Sequence, residues 1–156
     1  QMDLDPLDER IIGILGRDGR RSYARLGADV GLSAPAVKRR VDRLLSEGAI
    51  KGFTLVVDDA ALGWTTDAYV EVFCIGQPQP TRLAEDLDGI PEVVSACTVT
   101  GEADALLRIR AKDVRHFERV LDRLTSLDYV SRTKTTLVLS PLVERPRPDR
   151  QPKDPQ

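Results

Sequence analysis

Apolar residues near the start of the chain recur at helical spacing, and the clearest run predicts a helix over residues 33–48. Ser33 can act as its N-cap, Pro35 suits the first turn, and Gly48 suits a left-handed stop. Between these ends, four apolar residues fall at positions i, i+4, i+7 and i+8, on one side of a helix. They are Val37, Val41, Leu44 and Leu45. This side is predicted to be buried.

Two shorter helices are predicted upstream. The first begins after Asp5, a suitable N-cap followed by Pro6, and its apolar pattern continues until Asp18-Gly19-Arg20 interrupts it. The second begins after Ser22, and Gly31-Leu32-Ser33 forms a tight turn into residues 33–48. The apolar residues of these two helices are Leu7, Ile11, Ile14, Leu15, Tyr23, Leu26 and Val30. The three segments together indicate a helix-turn-helix.

The pattern becomes alternating in the second half of the chain. The run 50–57 is rich in β-forming residues and is predicted to be a connecting strand, with a domain boundary near 58–65. Four further strands are predicted at 68–75, 93–100, 105–111 and 130–139. Helices are predicted at 80–87 and, after the N-cap Asp113, up to Leu124. The order βαββαβ indicates a ferredoxin-like domain.

Two features of this second half extend the prediction. The spacing of Leu87, Ile90 and Val93 recurs in Leu124, Leu127 and Val130, which is consistent with a duplicated β-α-β half. In strand 68–75, two sets of apolar residues alternate, so both faces of the sheet are predicted to be apolar. They are Ala68, Val70, Val72 and Cys74 on one face and Tyr69, Phe73 and Ile75 on the other. Because two helices cover only one face, a dimer is the simplest cover for the other.

The exposed side of helix 33–48 is small and basic. Arg39 and Arg43 are predicted to point away from the buried side, next to Ala34 and Ala36, and Lys38 and Arg40 flank them. In a major groove, Arg39 and Arg43 can reach guanine edges or phosphates, whereas Lys38 and Arg40 suit phosphates. Ser22, Tyr23 and Ser33 lie at helix starts, where residues often donate to phosphate. A solvated charged face is the alternative reading for all of them.

Composition narrows the function classes. The chain has 156 residues, 41% of them hydrophobic, and suits one ordinary domain or two small ones. No apolar run is long enough to span a membrane and the N-terminal region is acidic, so we expect a cytoplasmic protein. Cys74 and Cys97 are expected to be reduced core thiols. His116 is expected on the exposed side of its helix, and no nucleophile–base pair, glycine-rich phosphate loop or metal cluster occurs. Neither an enzyme, a metal nor a cofactor is predicted.

The order of motifs resembles the leucine-responsive/asparagine-regulator (Lrp/AsnC) family over residues 3 to about 145. The matching motifs are Leu7-Asp8-Glu9-Arg10-Ile11-Ile12, Asp18-Gly19-Arg20, Gly31-Leu32-Ser33, Val37 through Leu45, Glu47-Gly48-Ala49-Ile50 and Gly101-Glu102-Ala103-Asp104. The resemblance implies an α+β protein: a winged-helix-like helix-turn-helix domain with a connecting strand at 3–63, and a ferredoxin-like domain of the ACT-like (RAM) type at 66–143. A proline-rich charged tail would follow at 144–156.

The resemblance also implies an effector site for an amino acid. In the family, the Gly-x-x-Asp loop and the start of the last strand lie at the effector pocket between dimers, which here selects Gly101, Glu102, Asp104, Ala105, Thr133 and Thr135. The residues allow this, since Gly101 permits close backbone approach and Asp104 can accept from an ammonium. A turn glycine with a capping aspartate is the alternative. The family has an aromatic residue where this chain has Ala105, which predicts space for a bulky apolar or aromatic effector.

The predicted function is therefore a sequence-specific regulator of transcription that binds double-stranded DNA and responds to an amino acid. The family resemblance implies a homodimer, or a ring of dimers such as an octamer. The alternative is an amino-acid-binding module that docks on a metabolic partner protein through its helical domain. Salt separates the two, because binding through several phosphates weakens by orders of magnitude with added salt and apolar docking does not.

Overall fold

Two compact units make up the chain, which a computed structural model describes for residues 3–76 and 78–143. The first unit extends to Val56 and the second begins at Val57. The division falls just before the boundary expected near residues 58–65. The predicted tail, 144–156, lies outside the described residues.

The first unit consists of three helices whose N-caps agree with the sequence pattern. They are α1 (Pro6–Arg17), α2 (Tyr23–Val30) and α3 (Ala34–Ser46). The side chains of Asp5, Ser22 and Ser33 each accept a hydrogen bond from a backbone N–H in the first turn, which satisfies a donor that the helix itself leaves unpaired. Five apolar side chains are fully buried between the helices: Ile11, Leu26, Val37, Val41 and Leu44. The predicted helix-turn-helix and its buried side are confirmed.

The connecting strand predicted at 50–57 is wrong. Ile50 is buried, but residues 51–57 have no strand structure, and Leu55 and Val56 are more than three-quarters exposed. A strand needs a hydrogen-bonded neighbour, and no described strand of this chain pairs with the segment. Since the described part of the first unit contains no strand at all, it also lacks the wing that a winged helix would carry. A single 3-10 turn, Asp59–Leu62, follows.

The second unit is a four-stranded antiparallel sheet with two helices, in the predicted order βαββαβ. Its elements are β1 (Thr66–Cys74), α4 (Pro80–Asp88), β2 (Val93–Thr98), β3 (Ala105–Ala111), α5 (Val114–Thr125) and β4 (Val130–Leu137). The strands lie in the order β2-β3-β1-β4, so β1 and β3 are central. In the register of the sheet, Val70 of β1 lies opposite Leu107 of β3 and Thr135 of β4.

The predicted duplication appears as two α–β junctions with the same hydrogen bonds. After α4, the N–H of Ile90 donates to the carbonyl of Leu87 (3.0 Å), and the N–H of Val93 donates to that of Ile90 (2.9 Å). After α5, Leu127 and Val130 repeat both bonds onto Leu124 and Leu127, at 3.2 and 3.0 Å. Each helix therefore enters its following strand by the same route.

Both helices cover one face of the sheet and form the core with it. The residues of β1 and β3 that face this core alternate with outward-facing ones, as a half-buried strand requires. Fully buried side chains of this core include Ala68, Val70, Leu107, Ile109, Val120 and Leu124. The buried residues of α5, Phe117, Val120 and Leu124, recur at helical spacing on the side that packs on the sheet.

The other face of the sheet, which we call the open face, is more polar than predicted. Arg108 forms a two-pronged ion pair with Asp67 (Nη2–Oδ2 2.5 Å), and Lys134 pairs with Glu71 at 2.9 Å. The guanidinium of Arg132 lies 3.5 Å from the ring centroid of Phe73, which is consequently only 8% exposed. The expectation of an apolar open face holds only in part, because charged cross-strand neighbours, invisible in the pattern of one strand, cover Phe73, while Tyr69 remains 42% exposed.

Candidate DNA-binding and effector sites

The exposed side of α3 forms a basic cleft. The cleft has a volume of about 400 Å³ and is lined by Leu32, Ala36, Arg39, Arg40 and Arg43. Arg39 is exposed and makes no hydrogen bond or ion pair with any described residue. Lys38 pairs with Asp42 one turn later (2.5 Å), and this bond raises the pKa of Lys38, but both side chains are at least half exposed. Arg39 is thus the guanidinium of this face that is free to bind another molecule.

Arg43 is not free in the way predicted. Its Nη2 donates to Oδ2 of Asp8 in α1, while Arg40 Nη1 donates to the other oxygen of the same carboxylate at 2.8 Å. The expectation that Arg43 points away from the packed side is therefore wrong, because its guanidinium reaches back to α1. About half of the side chain (46%) remains exposed, and it still lines the cleft. A DNA contact by Arg43 stays a prediction.

Asp8 is the buried centre of this ion-pair cluster. Its side chain is 1% exposed, and both of its carboxylate oxygens accept hydrogen bonds. Asp5 completes the cluster, with Oδ2 at 2.6 Å from Arg40 Nη1 and with a reciprocal capping box to Asp8. The hydrogen bond from Arg40 holds the pKa of Asp5 below its usual value, and the two carboxylates raise the pKa of Arg40. No sequence pattern indicated this role of Asp8, because its two arginine partners lie more than 30 residues away along the chain.

The smaller predicted contact residues lie at the starts of α2 and α3. Ser22 and Ser33 are exposed N-caps whose hydroxyls accept from Arg25 N–H and Ala36 N–H at 3.3 and 3.4 Å. Tyr23, Ala34 and Ala36 are half-buried. Ser22 and Tyr23 also line a second cleft of about 450 Å³, which lies apart from the basic cleft. Its other lining residues are Leu15, Gly19, Arg20, Arg21 and Phe53.

Gly27, which the sequence analysis did not single out, sets the turn between α2 and α3. A Cβ at this position would lie 2.3 Å from the carbonyl oxygen of Leu32, a separation that real Cβ atoms do not show. The N–H of Leu32 also donates to the carbonyl of Gly27 at 2.9 Å. A glycine inside a predicted helix is the one signal in the sequence that marks such a close approach. Gly27 therefore allows the turn to bring α3 against α2.

Two of the predicted effector residues, Gly101 and Asp104, lie in the loop before β3, next to the end of β1. Gly101 has a φ of 115°, a conformation that favours glycine. Asp104 Oδ2 accepts a hydrogen bond from Cys74 N–H at 2.7 Å, which ties the loop before β3 to the end of β1. Both parts of the alternative reading, a turn glycine and a capping aspartate, are therefore present. The thiol of Cys74 also forms a hydrogen bond with the Asp104 carboxylate.

The other effector predictions are placed differently. Ala105 is 1% exposed in the core beneath the helices, so the idea that its small side chain opens space for a bulky ligand is wrong. Thr133 lies opposite Val72 and is half-buried, while Thr135 lies opposite Val70 and is exposed. Glu102 is exposed. The Gly101 loop and Thr133 therefore lie near the same end of β1, on its two sides.

His116 is not on an exposed face as predicted. Its side chain is only 16% exposed. Nδ1 accepts a hydrogen bond from Lys112 N–H at 3.2 Å. Nε2 therefore carries the proton, and it donates to Glu92 Oε1 at 2.8 Å. Arg123 Nη2 donates to the other oxygen of Glu92 at 2.5 Å, and Trp64 stacks on the imidazole, 6.2 Å between ring centroids. These contacts describe a structural network with no nucleophile in it.

Neither cysteine is fully buried. Cys74 is half-buried, and burial together with the Asp104 carboxylate raises its pKa, whereas Cys97 is exposed and not a core thiol as predicted. Among residues 3–76 and 78–143, no group of three or more His, Cys, Asp or Glu side chains is arranged to hold a metal. No helix in those ranges has the length and apolar character that a membrane crossing requires.

Comparison with known protein families gives two adjacent matches. Residues 4–45 match the AsnC-type helix-turn-helix domain, and residues 67–148 match the Lrp/AsnC ligand-binding domain. A curated relative, an HTH-type transcriptional regulator of Mycobacterium tuberculosis, is 53% identical over 145 residues, which cover 93% of this chain and 98% of the relative.

Solved structures share the whole fold and not only its parts. A feast or famine regulatory protein of M. tuberculosis, solved as a complex with L-methionine, has a TM-score of 0.85 and 32% identity over 96% of this chain and 98% of its own. A transcriptional regulator of Neisseria meningitidis, also solved with L-methionine, has a TM-score of 0.83 and 27% identity over 91% and 94% of the two chains.

Proposed function

The chain belongs to the Lrp/AsnC family of DNA-binding transcriptional regulators, and from that premise we propose how it reads DNA and what controls it. Helix α3 enters the major groove of a specific double-stranded site, with Arg39 as its principal reading residue. An amino acid binds the second unit and changes how the chains of an oligomer meet. The spacing of the reading helices along the DNA changes with it.

The observation that carries the DNA-reading proposal is the unpaired guanidinium of Arg39 on an exposed helix face. The neighbouring cations Lys38, Arg40 and Arg43 each have a carboxylate partner, while Arg39 has none among the described residues. The cleft beside it has an apolar part formed by Leu32 and Ala36, and such a surface suits the methyl group of thymine. Ser22 and Ser33 at the helix starts suit phosphates.

Arg39→Ala tests this proposal. Genomic fragments that the protein retains are selected first, and binding of the best fragment is then measured by fluorescence anisotropy. We expect Arg39→Ala to weaken binding by about tenfold or more, since a bidentate guanine contact discriminates by about 1–3 kcal/mol. Arg119→Ala is the matched control, because Arg119 is exposed in α5 and has no described partner. Equal binding by both variants would remove α3 as the reading helix.

The effector proposal is an amino acid at the end of the sheet near Gly101. Support comes from the two structural relatives that were solved with L-methionine and from the carboxylate of Asp104, whose negative charge suits an ammonium group. Backbone N–H groups of the Gly101 loop would meet the carboxylate. Because Ala105 is in the core, a preference for bulky side chains has no support left.

Calorimetric titration with L-methionine and the other standard amino acids tests the effector site. We expect binding of at least one of them, and we expect Asp104→Asn to weaken it, because the amide keeps an oxygen for Cys74 N–H but removes the negative charge. Glu102→Gln removes the same charge from an exposed neighbouring residue, and it shows whether the loss of any nearby negative charge weakens amino-acid binding. Full affinity in Asp104→Asn would move the site elsewhere.

The oligomer is proposed to be a dimer through residues 66–140, with dimers meeting near Gly101 in a ring such as an octamer. Exposed apolar residues of the second unit support association: Tyr69, Ile75, Leu137, Leu139, Leu142 and Val143. Light scattering of the full chain, with and without L-methionine, measures the assembly. A monomer at micromolar concentration would refute this part of the proposal.

A further inference from the structure

The carboxylate of Asp8 is buried beneath the reading face and holds two of its arginines. We infer that Asp8 is a positioning residue for DNA reading: by holding Nη2 of Arg43 and Nη1 of Arg40, it aims their remaining donors into the cleft beside α3. This inference rests on the proposed function, since it assumes that this cleft receives DNA.

The Asp8 carboxylate is held in one orientation by its hydrogen bonds. Asp8 is 1% exposed, and its two oxygens are divided between the two arginines, with Arg40 Nη1 at 2.8 Å from Oδ1 and Arg43 Nη2 on Oδ2. The same Oδ2 accepts the N–H of Asp5 at 3.4 Å. A carboxylate that is bonded on all sides and excluded from water has no freedom to rotate, so its partners are held in one orientation.

The arginines keep N–H donors that Asp8 does not engage. A guanidinium has five N–H groups in a rigid plane, and Asp8 engages only Nη2 of Arg43, leaving its Nε and Nη1 without a described partner. Arg43 is 46% exposed, and it lines the cleft with Arg40 and Arg39. Because an arginine has large rotamer freedom, one that is already held loses less of it when it meets a base or phosphate.

The positioning role of Asp8 predicts different effects on specific and on non-specific DNA binding. Replacing Asp8 by Asn keeps the size of the side chain, but one of its two acceptor oxygens becomes an N–H₂ donor that faces an arginine, and the oxygen that remains is uncharged. Both arginines are then held less firmly, while the chain gains one unit of positive charge. Affinity for a preferred sequence should fall, and affinity for DNA of scrambled sequence should stay the same or rise slightly, because that binding depends on charge.

The experiment compares the two affinities in the full chain. Fluorescence anisotropy at one salt concentration measures binding to the best selected genomic fragment and to a scrambled fragment of equal length. For Asp8→Asn we expect about a tenfold weaker affinity for the selected fragment and no loss for the scrambled one. Glu47→Gln removes the same charge at the end of α3 without a described partner, and it should leave the ratio of affinities unchanged.

A second variant keeps the test decisive if Asp8→Asn unfolds. Arg43→Lys preserves the charge and can still pair with Asp8, but its single ammonium cannot bond the carboxylate along one edge and a base along the other. Because Arg43 is nearly half exposed, this variant should fold, and we expect it to lose sequence preference as Asp8→Asn does. In an Arg43→Ala background, Asp8→Asn should have little further effect on the ratio.

The outcomes separate this inference from the proposed function. If the natural chain shows no sequence preference, or Arg39→Ala retains it in full, the proposed function fails. If the natural chain prefers the selected fragment and Arg39→Ala loses that preference, but Asp8→Asn and Arg43→Lys retain it, only the positioning role is overturned. A parallel fall of both affinities in folded Asp8→Asn also overturns it, because a merely structural carboxylate would produce that result.

Discussion

Replacing Glu92 by Gln is expected to destabilise the second unit in a pH-dependent way. Glu92 is buried at the start of β2, where His116 and Arg123 donate to its two oxygens. Burial alone would raise the pKa of Glu92, but hydrogen bonds from its own backbone N–H, from Arg123 and from His116 outweigh burial and hold the pKa below its ordinary value of 4.5. The folded state therefore favours the charged carboxylate.

The magnitude follows from the bonds that the amide cannot replace. Gln keeps one acceptor oxygen but presents an N–H₂ to the second donor, so one hydrogen bond to a charged group, worth about 1.5–3 kcal/mol, is lost. Arg123 is 46% exposed and recovers part of this from water. A decrease of about 1–2 kcal/mol in the free energy of unfolding at neutral pH is expected.

The assay uses Trp64, the one tryptophan of the chain, which stacks on His116 and so reports on this unit. Urea unfolding followed by its fluorescence is measured at neutral pH and at about pH 3, at a fixed protein concentration. A depressed folded pKa contributes stability that is complete above the unfolded value and is lost as pH falls through the folded value. The difference between the natural chain and Glu92→Gln should therefore shrink in acid.

The matched control is Glu118→Gln, the same change at an exposed position of α5 without a described partner. It should alter the free energy of unfolding by less than about 0.5 kcal/mol. Equal stability of Glu92→Gln and Glu118→Gln at neutral pH would refute the reasoning. So would a difference that persists undiminished in acid, since it would not depend on the charge of Glu92.

Two further predictions concern packing. Gly27→Ala should destabilise the helical unit by about 1–3 kcal/mol, because the new Cβ would meet the Leu32 carbonyl. Gly13→Ala, which has open space around it, should stabilise the unit by about 0.5–1 kcal/mol. Thermal unfolding followed by helical circular dichroism measures both variants, and equal effects would contradict the assigned turn. Leu107→Ala should cost about 2–5 kcal/mol in Trp64-monitored urea unfolding, because the side chain is fully buried, and a change under 1 kcal/mol would contradict that burial.

Local chemistry made most of the fold predictable. Ser33 and Asp113 could be identified as N-caps because the capping bond joins residues three apart in sequence, so the signal is contained in a short window. The core residues of α3 and β1 followed from periods of 3.6 and 2 for the same reason. The repeated junctions after α4 and α5 were also visible, because each is a local pattern of three apolar residues.

The errors arose where the deciding contact joins distant residues. Arg43 was expected to be free because nothing near it in sequence shows that Asp8 of another helix accepts its guanidinium. The open face looked apolar in β1 alone, until Arg132 of β4 covered Phe73. Segment 50–57 has strand-forming residues but no neighbouring strand, and propensity without a hydrogen-bonded partner does not make a sheet.

The strand order has a consequence for how the second unit is made in the cell. β1 is synthesised first, yet it lies between β3 and β4 and bonds to both of them. The pairing of Glu71 with Lys134 joins the first strand to the last. Each α–β junction can form soon after its own helix leaves the ribosome, but the sheet cannot close until Leu137 has emerged. During translation, β1 must therefore wait with one edge unpaired, and long-range pairings of this kind are the slow steps of folding.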